Sequence, residues 1–241
     1  SKIVVIESTT LKFVKEINNI GSPRYGLKSK LINDRAYVSD LFSKKIHVIN
    51  TATLELSNSI DFPFWSEHMY ESADRLWITA PSQDKIYALE VSSGQITDSI
   101  LVGYYANGIQ IDKDNNLWVL SAGNSFEGEE ARWAKINPST KSLIDGDSIP
   151  SSYGYLVGFE INKNKDGFYV YGNGGIYTVN LAGEFSANPI FNIPFFPYKF
   201  KFDASKEEFY FTDAKDYIQK GTLYHTDKQG QKKSEKTVGI I

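Results

Sequence analysis

The chain has 241 residues, of which 41% are hydrophobic and 23% are charged, and its formal net charge is −3. This composition is typical of a globular domain with a substantial core, and the slight acidic balance argues against a nucleic-acid-binding protein, which usually carries a basic surface. Cysteine is absent, which excludes disulfides and thiolate metal sites, and no apolar run is long enough to span a bilayer.

The predicted elements begin with two strands in residues 1–20, the first of which covers Ile3 to Glu7. A short strand with an aromatic residue between two apolar ones then recurs five times, at intervals of 40, 41, 51 and 41 residues. The central residues of these copies are Tyr37, Trp77, Trp118, Tyr169 and Tyr210. A further strand follows each copy and ends in a polar or acidic residue, and turn residues separate the pieces.

A repeat of about forty residues built from four short antiparallel strands predicts an all-β fold, a β-propeller of four-stranded blades. We predict a single domain over 1–241, in which the half blade at 1–20 precedes five complete blades. The blades are expected at about 21–62, 63–103, 104–149, 150–194 and 195–241. Five blades and a half do not close a ring and would leave sheet edges exposed, so we expect a mature or trimmed chain that lacks residues at both ends.

The predicted meander divides the loops between two faces. Turns after first and third strands carry ordinary turn residues. The other face, here called the mouth face, is rich in aromatic residues. It contains the connections between blades (23–25, 64–68, 104–107, 153–155 and 195–199) and the loops after second strands (40–42, 123–133 and 213–217). Rigid aromatic side chains beside a central funnel suit a flat or partly apolar ligand. Packing between blades is the better explanation for any single Phe, whereas for Trp65 and the Tyr residues the two explanations are about equal.

The candidate ligand-binding residues lie in these connections. They are Arg24, Tyr25, Trp65, Glu67, His68, Tyr104, Tyr105, Asn107, Tyr153, Tyr155, Phe196 and Tyr198. Glu67 and His68 are adjacent, so in a strand they would point to opposite faces, and we expect only one of them to line the funnel.

Catalytic and metal-binding signals are sparse. His47, His68 and His225 lack the spacing of a metal site, and we expect His47 and His225 to occupy solvent-side positions of third strands. His68 beside Glu67 is a conceivable general base. A calcium site would draw on the carboxylates near the mouth, which are Glu67, Glu127, Glu129, Glu130, Asp213 and Asp216. We predict no catalytic residue, no metal site and no cofactor.

Several segments resemble one family of propellers. These segments are Ser22–Tyr25, Arg35–Asp40, Lys45–Thr53, Trp65–Met69, Asn107–Asp112 and Asn116–Val119. They are similar to YncE-like surface propellers of Bacteroidetes. The resemblance covers nearly the whole chain, is strongest from Ser22 to Leu120, and includes Arg24, Tyr25, Trp65 and Glu67. It implies a seven-bladed, non-catalytic outer-membrane lipoprotein whose anchor lies outside this chain. One branch of the family, the BtuG-like proteins, captures corrinoids and passes them to an outer-membrane transporter.

Three functions therefore remain open. The first is capture of a small molecule, a corrinoid or a glycan, by a monomeric propeller in the cell envelope, with an outer-membrane transporter as a further partner. The second is a metal-dependent enzyme of the propeller lactonase or streptogramin-lyase type that uses Glu67, His68 or Asp213. The third is a protein-docking module.

Overall fold

A computed structural model describes residues 2–124 and 126–239 of the chain. These residues form 22 strands in one two-stranded sheet and five four-stranded sheets, every pairing being antiparallel between strands consecutive in sequence. The predicted all-β propeller of four-stranded blades is thus confirmed. A seven-bladed ring stays a prediction.

The strand bounds follow the repeat. The half blade contains β1 (Ile3–Ile6) and β2 (Phe13–Ile17). Blade 1 contains β3 (Pro23–Lys28), β4 (Arg35–Asp40), β5 (Lys45–Asn50) and β6 (Glu55–Asp61), and blade 2 contains β7 (Met69–Ser72), β8 (Arg75–Thr79), β9 (Lys85–Glu90) and β10 (Ile96–Leu101). Blade 3 contains β11 (Ala106–Ile111), β12 (Leu117–Ser121), β13 (Arg132–Asn137) and β14 (Ser142–Ser148).

Blade 4 contains β15 (Val157–Ile161), β16 (Gly167–Gly172), β17 (Gly175–Asn180) and the short β18 (Phe191–Asn192). Blade 5 contains β19 (Lys199–Asp203), β20 (Glu208–Asp213), β21 (Thr222–Asp227) and β22 (Lys232–Thr237). A 3₁₀ turn at Ser151–Tyr153 precedes β15. None of the described residues forms a helix of the length and apolarity that crossing a membrane requires.

The repeated aromatic residues form the core between blades. Tyr37 packs in a cluster with Met69 and Leu76 of the next blade, and Trp77 packs with Ile109 and Leu117. Trp118 and Tyr169 likewise pack against residues of blades 4 and 5. Since full burial of a large apolar side chain contributes about 1.5–3 kcal/mol, this recurring contact is a main source of cohesion between the blades.

The last copy of this aromatic residue has a different environment. Tyr210 is only partly buried, and its ring stacks on His225 of the same blade, with 4.5 Å between centroids and an interplanar angle of 5°. Among the described residues no further blade follows blade 5 to cover this face. The same sequence pattern therefore has a different burial at the end of the series.

The position of His47 differs from the prediction. The side chain is buried, with Nε2 at 3.1 Å from Asp40 Oδ2 and Nδ1 at 2.8 Å from Ser59 Oγ. This face of blade 1 packs on Ile17 and Ile20, which belong to the half blade and the connection after it, and that packing keeps solvent out. The expectation that His47 occupies a solvent-side position was wrong.

Asp40 is the buried partner of this histidine. Its Oδ1 accepts hydrogen bonds from the backbone N–H groups of Phe42 and Ser43, both at 3.0 Å. Burial alone would raise the pKa of the Asp40 carboxyl, but the hydrogen bonds from Ser43 and His47 lower it well below its ordinary value. Asp40 thus fixes the turn after β4 as an ionised structural group.

Candidate ligand-binding site

Exposed aromatic side chains concentrate on the mouth face. Of the eight aromatic residues among the exposed large hydrophobic side chains in the described part of the chain, only Phe13 lies elsewhere. The other seven are Phe42, Trp65, Tyr105, Phe126, Tyr155, Phe196 and Tyr217. Packing between blades does not explain these side chains, because they remain open to solvent.

Three charged residues meet inside this aromatic rim. Arg24 Nη2 lies 3.0 Å from Glu67 Oε1, and Lys199 Nζ lies 3.4 Å from the same oxygen. Arg24 Nη1 is also 3.5 Å from the hydroxyl of Tyr198. We call Arg24, Glu67 and Lys199 the mouth cluster.

The propeller brings the mouth cluster together from three places in the sequence. Arg24 belongs to the first strand of blade 1 and Lys199 to the first strand of blade 5. First strands of successive blades contact one another and so surround one axis, and the side chains of Arg24 and Lys199 meet at Glu67. Glu67 lies in the connection that enters blade 2. Hydrogen bonds from Ser39 Oγ to the carbonyl of Glu67 at 2.7 Å, and from the Glu67 N–H to Thr79 O at 3.1 Å, fix the backbone of that connection.

The carboxyl group of Glu67 is ionised by its neighbours. Burial alone would raise its pKa, but Lys199, His68 and Arg24 lower it below the ordinary value. The carboxylate therefore offsets part of the repulsion between the two cations.

His68 lies beside the mouth cluster and is more buried than its three residues. Its ring packs on Tyr25 with 5.1 Å between centroids, and its Nδ1 is buried without a hydrogen-bond partner. Burial and the positive charges of Lys199, Lys201 and Arg24 lower the pKa of the imidazole to about 4, against the opposing effect of Glu67. His68 is therefore neutral at neutral pH, while Glu67 is the one of this adjacent pair that holds cations at the mouth.

A second ion pair involves the same inner strands. Lys201 Nζ of β19 lies 2.8 Å from Glu160 Oε2 of β15. Burial raises the pKa of Glu160 above its ordinary value, and Lys201 opposes this rise. Together with the mouth cluster, this pair makes a group of three cations and two carboxylates.

A cavity opens on the mouth face between blades 3 and 4. Its volume is about 550 Å³, and its lining includes Tyr105, Phe126 and Tyr155. Tyr155 extends the aromatic surface, since its ring lies 6.1 Å from that of Phe196. Glu129 and Glu130 lie at the cavity and are exposed. Its size is within the range of cavities that hold small molecules.

Some predicted site residues lie elsewhere. Tyr153 packs between Tyr177 and Phe185 in the core between blades, and its hydroxyl is 3.4 Å from the carbonyl oxygen of Ser186. Asn107 donates from Nδ2 to the carbonyl of Leu156 at 3.0 Å and thereby joins blades 3 and 4. Tyr104 is half-buried beside the exposed Tyr105. Tyr153 and Asn107 are structural in this arrangement.

Sequence reasoning also missed some residues of the site. Lys199, Lys201 and Glu160 were not among the candidates. A signal was present in β19, where Lys199 and Lys201 alternate with the buried Phe200 and Phe202. This period of two indicates that both lysines lie on the face opposite the core.

The loop carboxylates Asp213 and Asp216 have local hydrogen-bond partners. Among residues 2–124 and 126–239, no three His, Asp or Glu side chains are grouped as metal ligands. Asp213 Oδ1 accepts a hydrogen bond from the N–H of Lys215 at 2.8 Å, and Asp216 Oδ1 accepts one from the N–H of Gln219 at 2.8 Å. These two side chains stabilise turns.

Comparison with known proteins supports the fold. No family model and no curated protein matches the chain. Among solved structures, the chain is similar to hydrazine synthase of Kuenenia stuttgartiensis (TM-score 0.76, 12% identity, 93% of this chain and 70% of that one). It is also similar to a protein from Lactobacillus plantarum (TM-score 0.73, 16% identity, 99% and 79%). A third match is the WD40 domain of Neurospora crassa Pan2 (TM-score 0.68, 9% identity, 87% and 66%). At these identities the likeness establishes the β-propeller fold alone.

Proposed function

We propose that this propeller captures a small molecule, a corrinoid or a glycan, on its mouth face without transforming it. The observation that carries this proposal is the restriction of exposed aromatic side chains almost entirely to one face. An aromatic rim supplies stacking surface to a macrocycle or a sugar ring at a low cost in conformational entropy. The adjoining cavity of about 550 Å³ offers the concave surface that small-molecule sites usually have.

The resemblance to YncE-like surface propellers suggests the setting for this activity. In that reading the protein is attached to the outer membrane as a lipoprotein and captures a nutrient. An outer-membrane transporter would then receive the ligand. The chain would act as a monomer, because all seven exposed aromatic residues of the mouth face belong to one chain.

Protein docking is a second candidate function. Phe42 and Trp65 pack edge to face at 6.2 Å, and both are exposed outside the cavity. Tyr217 and Ile218 are exposed on the same face of blade 5. Exposed apolar residues of this kind are typical of protein interfaces.

An enzyme of the lactonase or lyase type is the third candidate. The neutral imidazole of His68, adjacent to Glu67, has the protonation state that a general base needs. One solved neighbour, hydrazine synthase, is named as an enzyme, although its likeness extends only to the fold. Hydrolysis of a lactone with and without added divalent cations would detect such an activity.

Titration with cobalamin and cobinamide, followed by tryptophan fluorescence and by calorimetry, tests the main proposal. Trp65 is 45% exposed, whereas Trp77, Trp118 and Trp133 are buried, so quenching reports on the mouth. Calorimetry is needed because Trp65→Ala removes the reporter together with the contact. A panel of oligosaccharides, titrated in the same way, tests whether the ligand is a glycan.

The control variant is Phe13→Ala, which removes an exposed aromatic side chain away from the mouth. We expect Trp65→Ala and Tyr155→Ala each to weaken binding by about tenfold, the loss expected for an aromatic contact of about 1–2 kcal/mol. Phe13→Ala should bind like the wild type. Equal effects of the three variants, or binding of neither ligand class, would contradict small-molecule capture and leave protein docking as the better explanation.

A further inference from the structure

The ion pairs at the mouth do not balance in charge. Arg24, Lys199 and Lys201 pair with two carboxylates, Glu67 and Glu160, so this group has one cation in excess. The whole chain, by contrast, has a net charge of −3. His68 adds no positive charge at neutral pH. A local excess of cations in an acidic protein attracts anions to that place.

The hydrogen-bonding capacity of Arg24 and Lys199 is also only partly used. Arg24 donates a hydrogen bond from Nη2 to Glu67 Oε1. Its Nη1 lies 3.5 Å from the hydroxyl of Tyr198, which is the outer limit for a hydrogen bond. Within the described residues its Nε makes no hydrogen bond, and Lys199 Nζ makes only the 3.4 Å contact with Glu67. A guanidinium carries five N–H donors and an ammonium three. Most donors of the pair therefore remain available to a ligand.

The cations are more accessible than the carboxylate they share. The side chains of Arg24 and Lys199 are 33% and 44% exposed, whereas that of Glu67 is 15% exposed. A molecule that approaches from the mouth can therefore reach the N–H donors of Arg24 and Lys199 more readily than the carboxylate of Glu67. The rim adjoins these cations, since the hydroxyl of Tyr198 lies 3.5 Å from Arg24 Nη1. Phe196 is two residues before Tyr198, and its ring lies 6.1 Å from that of Tyr155.

We infer that Arg24 and Lys199 form the subsite for an anionic group of the captured molecule, a carboxylate or a phosphodiester. This inference rests on the proposed function and names the ligand class: an anionic small molecule with rings that stack on the rim. The planar guanidinium binds two oxygens of such a group, and the lysine adds a point charge. Glu67 holds the two cations in place in the absence of ligand.

Two pairs of probes that differ in charge test the subsite. Tri-galacturonate is compared by calorimetry with its trimethyl ester, which lacks the three negative charges. Cobalamin, whose nucleotide loop carries a phosphodiester, is compared with cobinamide, which lacks that loop. The first pair reports on acidic sugars and the second on phosphodiesters, so the two sources of the same chemistry are distinguished.

The variants are Arg24→Gln and Lys199→Gln, with Lys163→Gln as the matched control. Lys163 forms an ion pair with Glu207 at 3.2 Å and lies in the turn between β15 and β16, on the opposite face. We expect the wild type to prefer the charged member of at least one pair by about tenfold or more. Each mouth variant should lose that preference, the control should keep it, and added salt should weaken it in the wild type.

Each other outcome has a defined meaning. If neutral and charged members bind equally, or if Arg24→Gln lowers the melting temperature but keeps the preference, the anionic subsite is overturned and Arg24 is only a structural clamp. Binding that depends on Trp65 but not on Arg24 or Lys199 would leave the proposed capture function standing without the subsite. Charge-dependent binding that Trp65→Ala and Tyr155→Ala leave unchanged would support the subsite and contradict the aromatic capture site. Failure of all four probes to bind would overturn both.

Discussion

Lys199 and Glu67 lie 3.4 Å apart at the mouth of the propeller, although 132 residues separate them in the sequence. Arg24 reaches the same carboxylate oxygen from blade 1. This single oxygen therefore connects the first, second and fifth blades of the described structure. The connection has consequences for stability as well as for binding.

Glu67→Gln should destabilise the fold by about 1–2 kcal/mol, because it leaves Arg24 and Lys199 close together without a counter-charge. The deficit should shrink as salt concentration rises, since the repulsion between the partly exposed cations is then screened. Urea denaturation at low and high salt measures both effects. Glu55→Gln, which removes the partner of Lys15 in an exposed ion pair, is the control and should change stability by less than about 0.5 kcal/mol. A loss at Glu67 that does not depend on salt would contradict the electrostatic explanation.

His68 should make the protein sensitive to mild acid. Its pKa falls from 6.5 in the unfolded chain to about 4 in the folded protein. Between these values the unfolded chain binds a proton that the folded protein does not, so folding stability declines as pH falls from 6.5 towards 4, by an amount on the order of 3 kcal/mol.

The measurement is the difference in unfolding free energy between the wild type and His68→Phe across this pH range. Phenylalanine keeps a ring against Tyr25 but does not titrate. The unfolding free energy of His68→Phe should increase relative to that of the wild type as the pH is lowered. Parallel pH curves for the two proteins would show that His68 titrates normally in the folded state.

Gly108 should be intolerant of any side chain. A Cβ at this position of β11 would lie 2.3 Å from the Cβ of Phe159, far closer than a van der Waals contact. Gly26, in the corresponding inner strand β3, has no heavy atom within 4 Å of such a Cβ. We expect Gly108→Ala to cost about 1–3 kcal/mol and Gly26→Ala to be close to neutral, as measured by thermal unfolding. Equal losses would indicate that backbone preferences, not the contact between blades 3 and 4, determine the result.

Asp40 should show a graded response to substitution. Asp40→Ala removes the acceptor for the Phe42 and Ser43 N–H groups and leaves Nε2 of the buried His47 without a partner, so we expect a loss of about 3 kcal/mol. Asp40→Asn should lose less, because the amide keeps one acceptor oxygen and donates to His47 in its other tautomer. Asp61→Asn, at an exposed position, should be neutral. Denaturant unfolding ranks the three variants, and an Asn variant as unstable as the Ala variant would show that the negative charge itself is required.

The sequence predicted local features of the site better than distant ones. Trp65, Tyr105, Tyr155 and Phe196 were identified because turn residues and strand alternation place them in loops, and they are exposed there. Tyr153 carried the same signal, yet it packs against Tyr177 and Phe185. Whether a loop aromatic residue is exposed depends on the neighbouring blade, which lies far away in sequence.

The fold itself was determined by the sequence, because a period of two within strands and a repeat near forty residues are local properties of the chain. The recurring residues Tyr37, Trp77 and Trp118 could be recognised for the same reason. Only the tertiary structure brought Arg24, Glu67 and Lys199 together and buried His47 beside Asp40. The arrangement of the blades around an axis makes neighbours of residues that are distant in sequence, and burial, hydrogen bonding and ionisation all depend on those neighbours.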